Sequence, residues 1–304
     1  MLVSILIPVF NCEAFLRQCL DSVVGQTYRD LQVVVVDDGS TDGSWAIMQE
    51  YSARDNRVEV YHQENAGVAT ARNRLLELAK GDFVLFVDSD DWLELNTIEV
   101  LMSEQAVGDY DMVAFNSVED CVYTQEQSVK EFLRHIKFAG SLWNKLTRRT
   151  LFKDLRFDPS VSYGEDALMT WHVLQRLERV RVSPHKLYNH RLNDASISNQ
   201  FWTPQKKGSG SIVWRTITEE TAKWWPQYLD IAQARYAIED MWGLYYASLA
   251  EYPYDEHIRE RQLNVRRNLR LIRKSGLVST NKIVTCYALA YCYSLGRFLK
   301  YTRK

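Results

Sequence analysis

The feature that most restricts this chain is a series of four apolar runs near its start, each closed by a polar cluster. Val3–Val9 is almost unbroken in its hydrophobicity, Leu31–Val36 (LQVVVV) repeats the pattern, Val58–Tyr61 is shorter, and Phe83–Val87 (FVLFV) is the fourth. Runs of this kind suit strands buried on both faces rather than strands with one wet side. Between them, Ala14–Val24, Ser44–Tyr51 and Ala69–Ala79 carry apolar residues at helical spacing. The resulting βαβαβαβ order predicts a parallel sheet covered by helices. Ligands of such sheets bind at the carboxyl ends of the strands. The polar clusters fall at those ends: Asn11, then Asp37-Asp38-Gly39-Ser40, then Asn65 and Gly67, then Asp88-Ser89-Asp90-Asp91.

Later segments are mixed. Asp111–Asn116 and Leu187–Arg191 read as strands and Glu165–Leu177 as a helix, while the chain from about Thr203 is helical and aromatic. Gln205–Ser211 (QKKGSGS) is the best linker, giving an α/β domain over residues 1–204 and a helical C-terminal region over 205–304. At 46% hydrophobic and 25% charged, the chain can build a sizeable core without disulfides or metals. Its five cysteines (Cys12, Cys19, Cys121, Cys286, Cys292) are odd in number and form no C-x-x-C pair, so they read as reduced thiols rather than zinc ligands. Met1 leads straight into an apolar strand with no basic start or cleavage site, and no apolar run reaches the roughly 20 residues that span a bilayer. A cytoplasmic protein is therefore expected, and no nucleic-acid partner.

Chemistry concentrates in a few places. In Asp88-Ser89-Asp90, two carboxylates one residue apart can share a hard divalent cation such as Mn²⁺ or Mg²⁺, which keeps substrate phosphates in its shell. The same residues could instead cap a helix over Leu93–Leu101. Asp38 stands in a turn-forming cluster, where a carboxylate could also accept a hydrogen bond from a nucleobase. Arg72 opens a helix near the strand ends, where a guanidinium could grip phosphate or simply face solvent. Neither G-x-G-x-x-G nor G-x-x-x-x-G-K-[ST] follows the first strand, which disfavours dinucleotide and P-loop folds.

Five segments in order, VSILIPVFN (Val3–Asn11), CLDSVVGQTY (Cys19–Tyr28), VVVDDGSTD (Val34–Asp42), QENAGVATARN (Gln63–Asn73) and GDFVLFVDSDDWL (Gly81–Leu93), resemble the family-2 glycosyltransferases of the GT-A fold. The resemblance continues more loosely through Trp143-Asn144-Lys145 and Gly164-Glu165-Asp166 to Tyr188–Ser198, and it does not reach the helical tail. It implies a mostly parallel GT-A sheet with flanking helices, and roles residue by residue. Pro8, Val9 and Phe10 would line the base, with Asn11 beside them and Phe10 stacking in place of the family's frequent Tyr. Asp38 would bind the base, and Arg72 would approach the diphosphate. Asp88 would bind sugar or ribose, and Asp90 the metal, with Ser89 between them. Asp166, paired with Glu165, would be the base that activates an acceptor hydroxyl; a helix start also favours carboxylates for its dipole. His190 would touch the metal or Arg191 the phosphates, unless both are surface residues. The implied reaction is inverting transfer from a nucleoside diphosphate sugar, a UDP-sugar first, to a glycan or lipid-linked acceptor of surface-polysaccharide synthesis. A non-catalytic sugar-nucleotide or glycan-binding subunit of the same fold is the alternative.

Charge is split along the chain. Residues 256–304 hold twelve Lys/Arg against two Glu, a net of +10; with the whole chain at −2, the preceding residues carry −12. Ile258, Gln262, Val265, Leu269 and Ile272 share one helical face, and Ile283–Leu299 is apolar nearly all round before ending in cations. Together they predict a peripheral anchor on the anionic inner face of a membrane, with a buried, homo-oligomer-forming helix pair as the alternative.

Overall fold

The computed structural model describes residues 1–134, 140–191 and 209–298. The apolar runs are strands β1 (Val3–Val9), β2 (Leu31–Asp38), β3 (Val58–Gln63) and β4 (Phe83–Phe86), separated by helices α1 (Glu13–Val24), α2 (Ser44–Arg54) and α3 (Val68–Leu78). All four strands run parallel, in the order β3-β2-β1-β4. Their side chains are buried because α1 and α2 supply apolar faces: Leu16, Cys19, Leu20, Val23, Ile47 and Met48 join Val3, Ile5, Ile7, Val33, Val35 and Leu85 in one core.

The chain continues through β5 (Trp92–Leu93), α4 (Thr97–Gly108), β6 (Met112–Ala114), β7 (Cys121–Thr124), α5 (Gln125–Arg134), β8 (Lys145–Arg148), α6 (Glu165–Leu174), β9 (Arg179–Val182) and β10 (Tyr188–Asn189). These extend the sheet to β3-β2-β1-β4-β8-β6-β9-β7, with β8 antiparallel to both neighbours and β6 parallel to β9. The sheet is thus mostly parallel, as expected, with an antiparallel insertion that periodicity did not announce. The expected helix over Leu93–Leu101 starts only at Thr97, because Trp92 and Leu93 pair with Asn189 and Tyr188. Its N-cap residue is Asn96, so Asp88-Ser89-Asp90 is not a helix cap.

The chain divides into two compact units: Met1–Phe132, Lys137–Ser160 and Glu165–Leu192 in one, and Leu133–Ile136, Val161–Gly164 and Asn193–Lys304 in the other. Residues 161–164 thus belong with the helical unit, where Ser162 and Ser209 share a hydroxyl contact at 3.0 Å. Helical elements there are α7 (Ser209–Trp224), α8 (Leu229–Leu249), α9 (Glu256–Ser275) and α10 (Thr280–Tyr291). Of the expected linker, residues 205–208 lie outside the described residues and Ser209–Ser211 form the first turn of α7. The predicted lipid-facing side of α9 is corrected: Ile258, Val265, Leu269 and Ile272 are buried against α8 and α10 with Ile238, Met241, Leu244 and Leu289. An amphipathic period says that a face is covered, not by what. At the centre of this unit, Asp240 accepts hydrogen bonds from Ser211 and from Asn264 (2.8 Å) and pairs with Arg261 at 3.4 Å. Burial pushes the Asp240 carboxyl up to about 6. Among the described residues, no helix is long and apolar enough to cross a membrane.

Candidate active site

The acidic cluster after β4 is a turn built around its last carboxylate. Asp91 is buried and accepts the Tyr188 hydroxyl and the Arg191 amide, each at 2.7 Å. The Tyr188 oxygen in turn accepts the Asp88 amide at 3.1 Å. Arg191 donates from Nε to the Asp90 carbonyl at 2.9 Å, bonds Gln18, and lies over the rings of Phe15 (4.7 Å) and Trp92 (5.0 Å). Arg191 therefore braces the turn. Burial pushes the Asp91 carboxyl up to about 6. With Asp91 spent inside, Asp88 and Asp90 stand at the surface of the turn, and Ser89 between them lies close to the Cys12 thiol. Burial, and next the charge of Asp88, raises the Asp90 carboxyl above its ordinary value. Two half-buried carboxylates on one turn fit a hard cation completed by phosphate and water.

Arg72 joins this turn to the second acidic pair. It sits on the first turns of α3, after Gly67 at φ +86°, with only 11% of its side chain exposed. Nη1 meets Glu165 Oε1 at 2.5 Å, Nη2 meets Asp88 Oδ1 at 3.4 Å, and the guanidinium lies 5.8 Å from the Phe157 ring centre. Its buried Nε has no acceptor among the described residues. Glu165 is thus committed to Arg72. The neighbouring Asp166, also in the first turn of α6, accepts its bond from the Ala167 amide at 2.8 Å. Burial, then the charge of Glu165, pushes the Asp166 carboxyl up to about 6, against the pull of Arg72. A carboxylate with that value is ionised at neutral pH and still basic enough to share a proton.

The expected base site is arranged differently from a simple row of contacts. Phe10 is 52% exposed and offers its ring, and Pro8 is half-buried. Val9 is 1% exposed within the core, so it could meet a base only through its backbone, since side chains alternate along a strand. Asn11, at φ +48°, accepts the Thr41 amide at 2.8 Å and donates from its own backbone amide to Ser40 Oγ at 2.9 Å. Asp38 is buried and accepts from Gln63 Nε2 (2.7 Å), the Ala66 amide (3.0 Å) and the Gly67 amide (2.9 Å). It shapes the loop that leads into Arg72. His190 lies against Trp143, with ring centres 6.3 Å apart. No cluster of three metal-ligating side chains forms among the described residues, so His190 is not gathered with Asp88 and Asp90 as a third ligand. Residues 192–198 of the resembling segment lie outside the described residues. Asp91, Tyr188 and Lys145 received no role from the sequence; the resembling segments contain all three, but spacing alone does not separate Asp91 from its neighbours.

The family model described as glycosyl transferase family 2 matches residues 4–164. Glycosyltransferase GlyA of Streptococcus pneumoniae is 33% identical over 300 residues, 91% of this chain; the chain spans 39% of GlyA's length. Among solved structures, S. aureus TarS 1-349 in complex with UDP-GlcNAc superposes with a TM-score of 0.74 at 21% identity, over 98% of this chain and 89% of that one. The mannosyltransferase PcManGT of Pyrobaculum calidifontis, in complex with GDP-Man and Mn²⁺, gives 0.55 at 16% identity, over 95% and 87%. These likenesses show the same fold.

Proposed function

Because this chain belongs to glycosyl transferase family 2, we propose that it moves a sugar from a nucleoside diphosphate sugar to a hydroxyl of a glycan or lipid-linked acceptor, with inversion. The observation that carries this reading is the Arg72 bridge, which brings the Asp88–Asp90 turn and the Glu165–Asp166 pair to one place. The two halves of a direct displacement are then adjacent. Arg72, with a buried Nε in want of an acceptor, would take a phosphate oxygen of the donor. Phe10 would stack on the base. Asp166 would take the acceptor's proton as its oxygen bonds the anomeric carbon and the nucleoside diphosphate departs from the opposite face. Asp88 and Asp90 would hold Mn²⁺ or Mg²⁺, which supplies positive charge to the departing diphosphate. A UDP-sugar is the first donor to test: TarS, the nearer fold likeness of the two, was solved with UDP-GlcNAc.

The direct test is the donor site. Wild-type protein should bind UDP more tightly in Mn²⁺ than in chelator, and Asp90→Asn should abolish that difference by removing a charged oxygen ligand. Calorimetric titration of UDP with and without Mn²⁺ decides it; metal-dependent binding that survives in Asp90→Asn removes Asp90 from the site.

We also propose that the helical unit rests on an anionic membrane, which would put the enzyme on the inner face of the cell membrane beside a lipid-linked acceptor. The apolar element is now a stripe on α10: Val284, Tyr287 and Tyr291, with Leu295 beyond, are exposed, while Cys286 and Leu289 face the core. Exposed Arg266, Arg267, Arg270 and Arg273 on α9 add charge, each worth about 1 kcal/mol if it lies at the lipid surface. The protein should co-sediment with phosphatidylserine vesicles at low salt and release as salt rises. Equal recovery with neutral and anionic vesicles, or a salt-stable dimer in their place, would favour a homo-oligomer.

A further inference from the structure

Resting on Asp166 as the base, we infer that Lys145 is a positioning residue for the transfer: its buried ammonium keeps Asp166 ionised and ready to accept a proton. Lys145 opens β8, whose antiparallel register, Val84 with Thr147, carries it toward the carboxyl end of β4 and the acidic turn. It is 2% exposed. Its Nζ donates to the Ser141 carbonyl at 2.5 Å and to Asn144 Oδ1 at 2.8 Å. The turn that holds it is fastened to α6 twice. Thr170 Oγ1 donates to the Gly140 carbonyl at 2.8 Å, and Gly140 approaches so closely that a Cβ there would stand 2.7 Å from Ala167 Cβ. Ala167 follows Asp166 directly and Thr170 stands one helical turn further on, so the lysine's turn and the carboxylate belong to one corner of the fold.

Charge gives this cation a role that a methionine filling the same space would lack. The charges that face Asp166 are Glu165 and Asp88, both negative, the Arg72 guanidinium, and Lys145. Even with Asp88 given to the metal, Glu165 and Asp166 against one guanidinium leave a negative charge unbalanced, and Arg72 is already shared between Glu165 and Asp88. Lys145 is the second cation. The reciprocal effect is visible on the lysine: burial lowers its ammonium to about 7, and the charge of Asp166 resists that fall. Below about pH 7 the lysine is charged, which is the range in which Asp166 needs help to stay ionised. Above it, Asp166 is ionised without assistance.

The test is the pH profile of UDP release from UDP-GlcNAc, with water as acceptor, for wild type, Lys145→Gln, Lys145→Arg and Asp166→Asn. Gln keeps a donor for the Ser141 carbonyl and loses the charge. Its acid limb should move upward by about one pH unit, the lower end for an opposite charge nearby. That is about a fivefold loss at pH 6 and near-equality with wild type at pH 8.5, with UDP affinity unchanged. Arg, which keeps the charge, should leave the limb in place. A loss that is uniform across pH, or a Gln limb that coincides with wild type, overturns the inference and leaves Asp166 as the base if Asp166→Asn is inactive. If Asp166→Asn still turns over, the base assignment itself fails.

Discussion

Asp166→Asn is expected to lower turnover by about 10²–10⁴-fold, the usual contribution of a positioned general base, while donor affinity changes by less than about twofold. The asymmetry follows from geometry. Arg72 binds both Glu165 and Asp88, whereas among the described residues Asp166 accepts from its own helix amide and is not in that ion-pair set. An amide in its place can accept the same bond yet cannot take a proton. An interaction made only in the transition state lowers turnover without changing ground-state binding. The acidic side of the wild-type profile should bend at about pH 6, because burial raises the Asp166 carboxyl to that value and protonation below it removes the base. Steady-state UDP release and calorimetric UDP binding, measured on the same variant, check both halves. A collapse of UDP binding would make Asp166 a donor-site residue, and near-normal turnover would hand the role to Glu165.

Arg72→Met should destabilise the protein by about 3–5 kcal/mol, the cost of breaking a buried ion pair from one side. Methionine fills much of the volume over Phe157 but leaves Asp88 and Glu165 facing each other without the cation that now meets both. At 2–4 °C per kcal/mol for a domain of this size, the melting temperature should fall by about 6–20 °C near pH 7. Arg72→Lys should recover part of it, since one ammonium cannot bridge two carboxylates as a planar fork does. Thermal melts of the three proteins decide the matter. A fall below about 3 °C for the methionine variant would mean that Asp88 and Glu165 are better solvated than their burial suggests.

The first half of the fold was legible because β1, β2 and β4 are buried on both faces and so appear as unbroken apolar runs. The second half was legible only in part: β6, α6 and β10 fall inside the expected Asp111–Asn116, Glu165–Leu177 and Leu187–Arg191 segments, whereas β5, β7, β8 and β9 fall in no expected strand. β8 reads Lys-Leu-Thr-Arg, and its buried Lys145 and Thr147 have no apolar signature. β7 is an edge strand with alternating exposure, and β9 is Arg-Val-Arg-Val. A two-residue strand such as β5 has no period to detect. Of the site, the carboxylates and Arg72 were visible as motif members. What organises them was not: Asp91 differs from Asp90 only in being enclosed by Tyr188 and Arg191, which follow it in the chain by 97 and 100 positions.

That separation constrains the order of events during synthesis. All five motif-bearing segments have left the ribosome once residue 93 has emerged, and β1 through β4 can pair among themselves. The acidic turn cannot yet take its final shape, because the hydroxyl and amide that enclose Asp91 lie on the far side of β8, α6 and β9. Contacts this distant in sequence bear a loop-closure cost and form late. Until Tyr188 arrives, a nascent chain with the whole motif signature would hold its acidic residues in a loose loop. The first 93 residues would therefore carry the whole motif signature without being a binding unit.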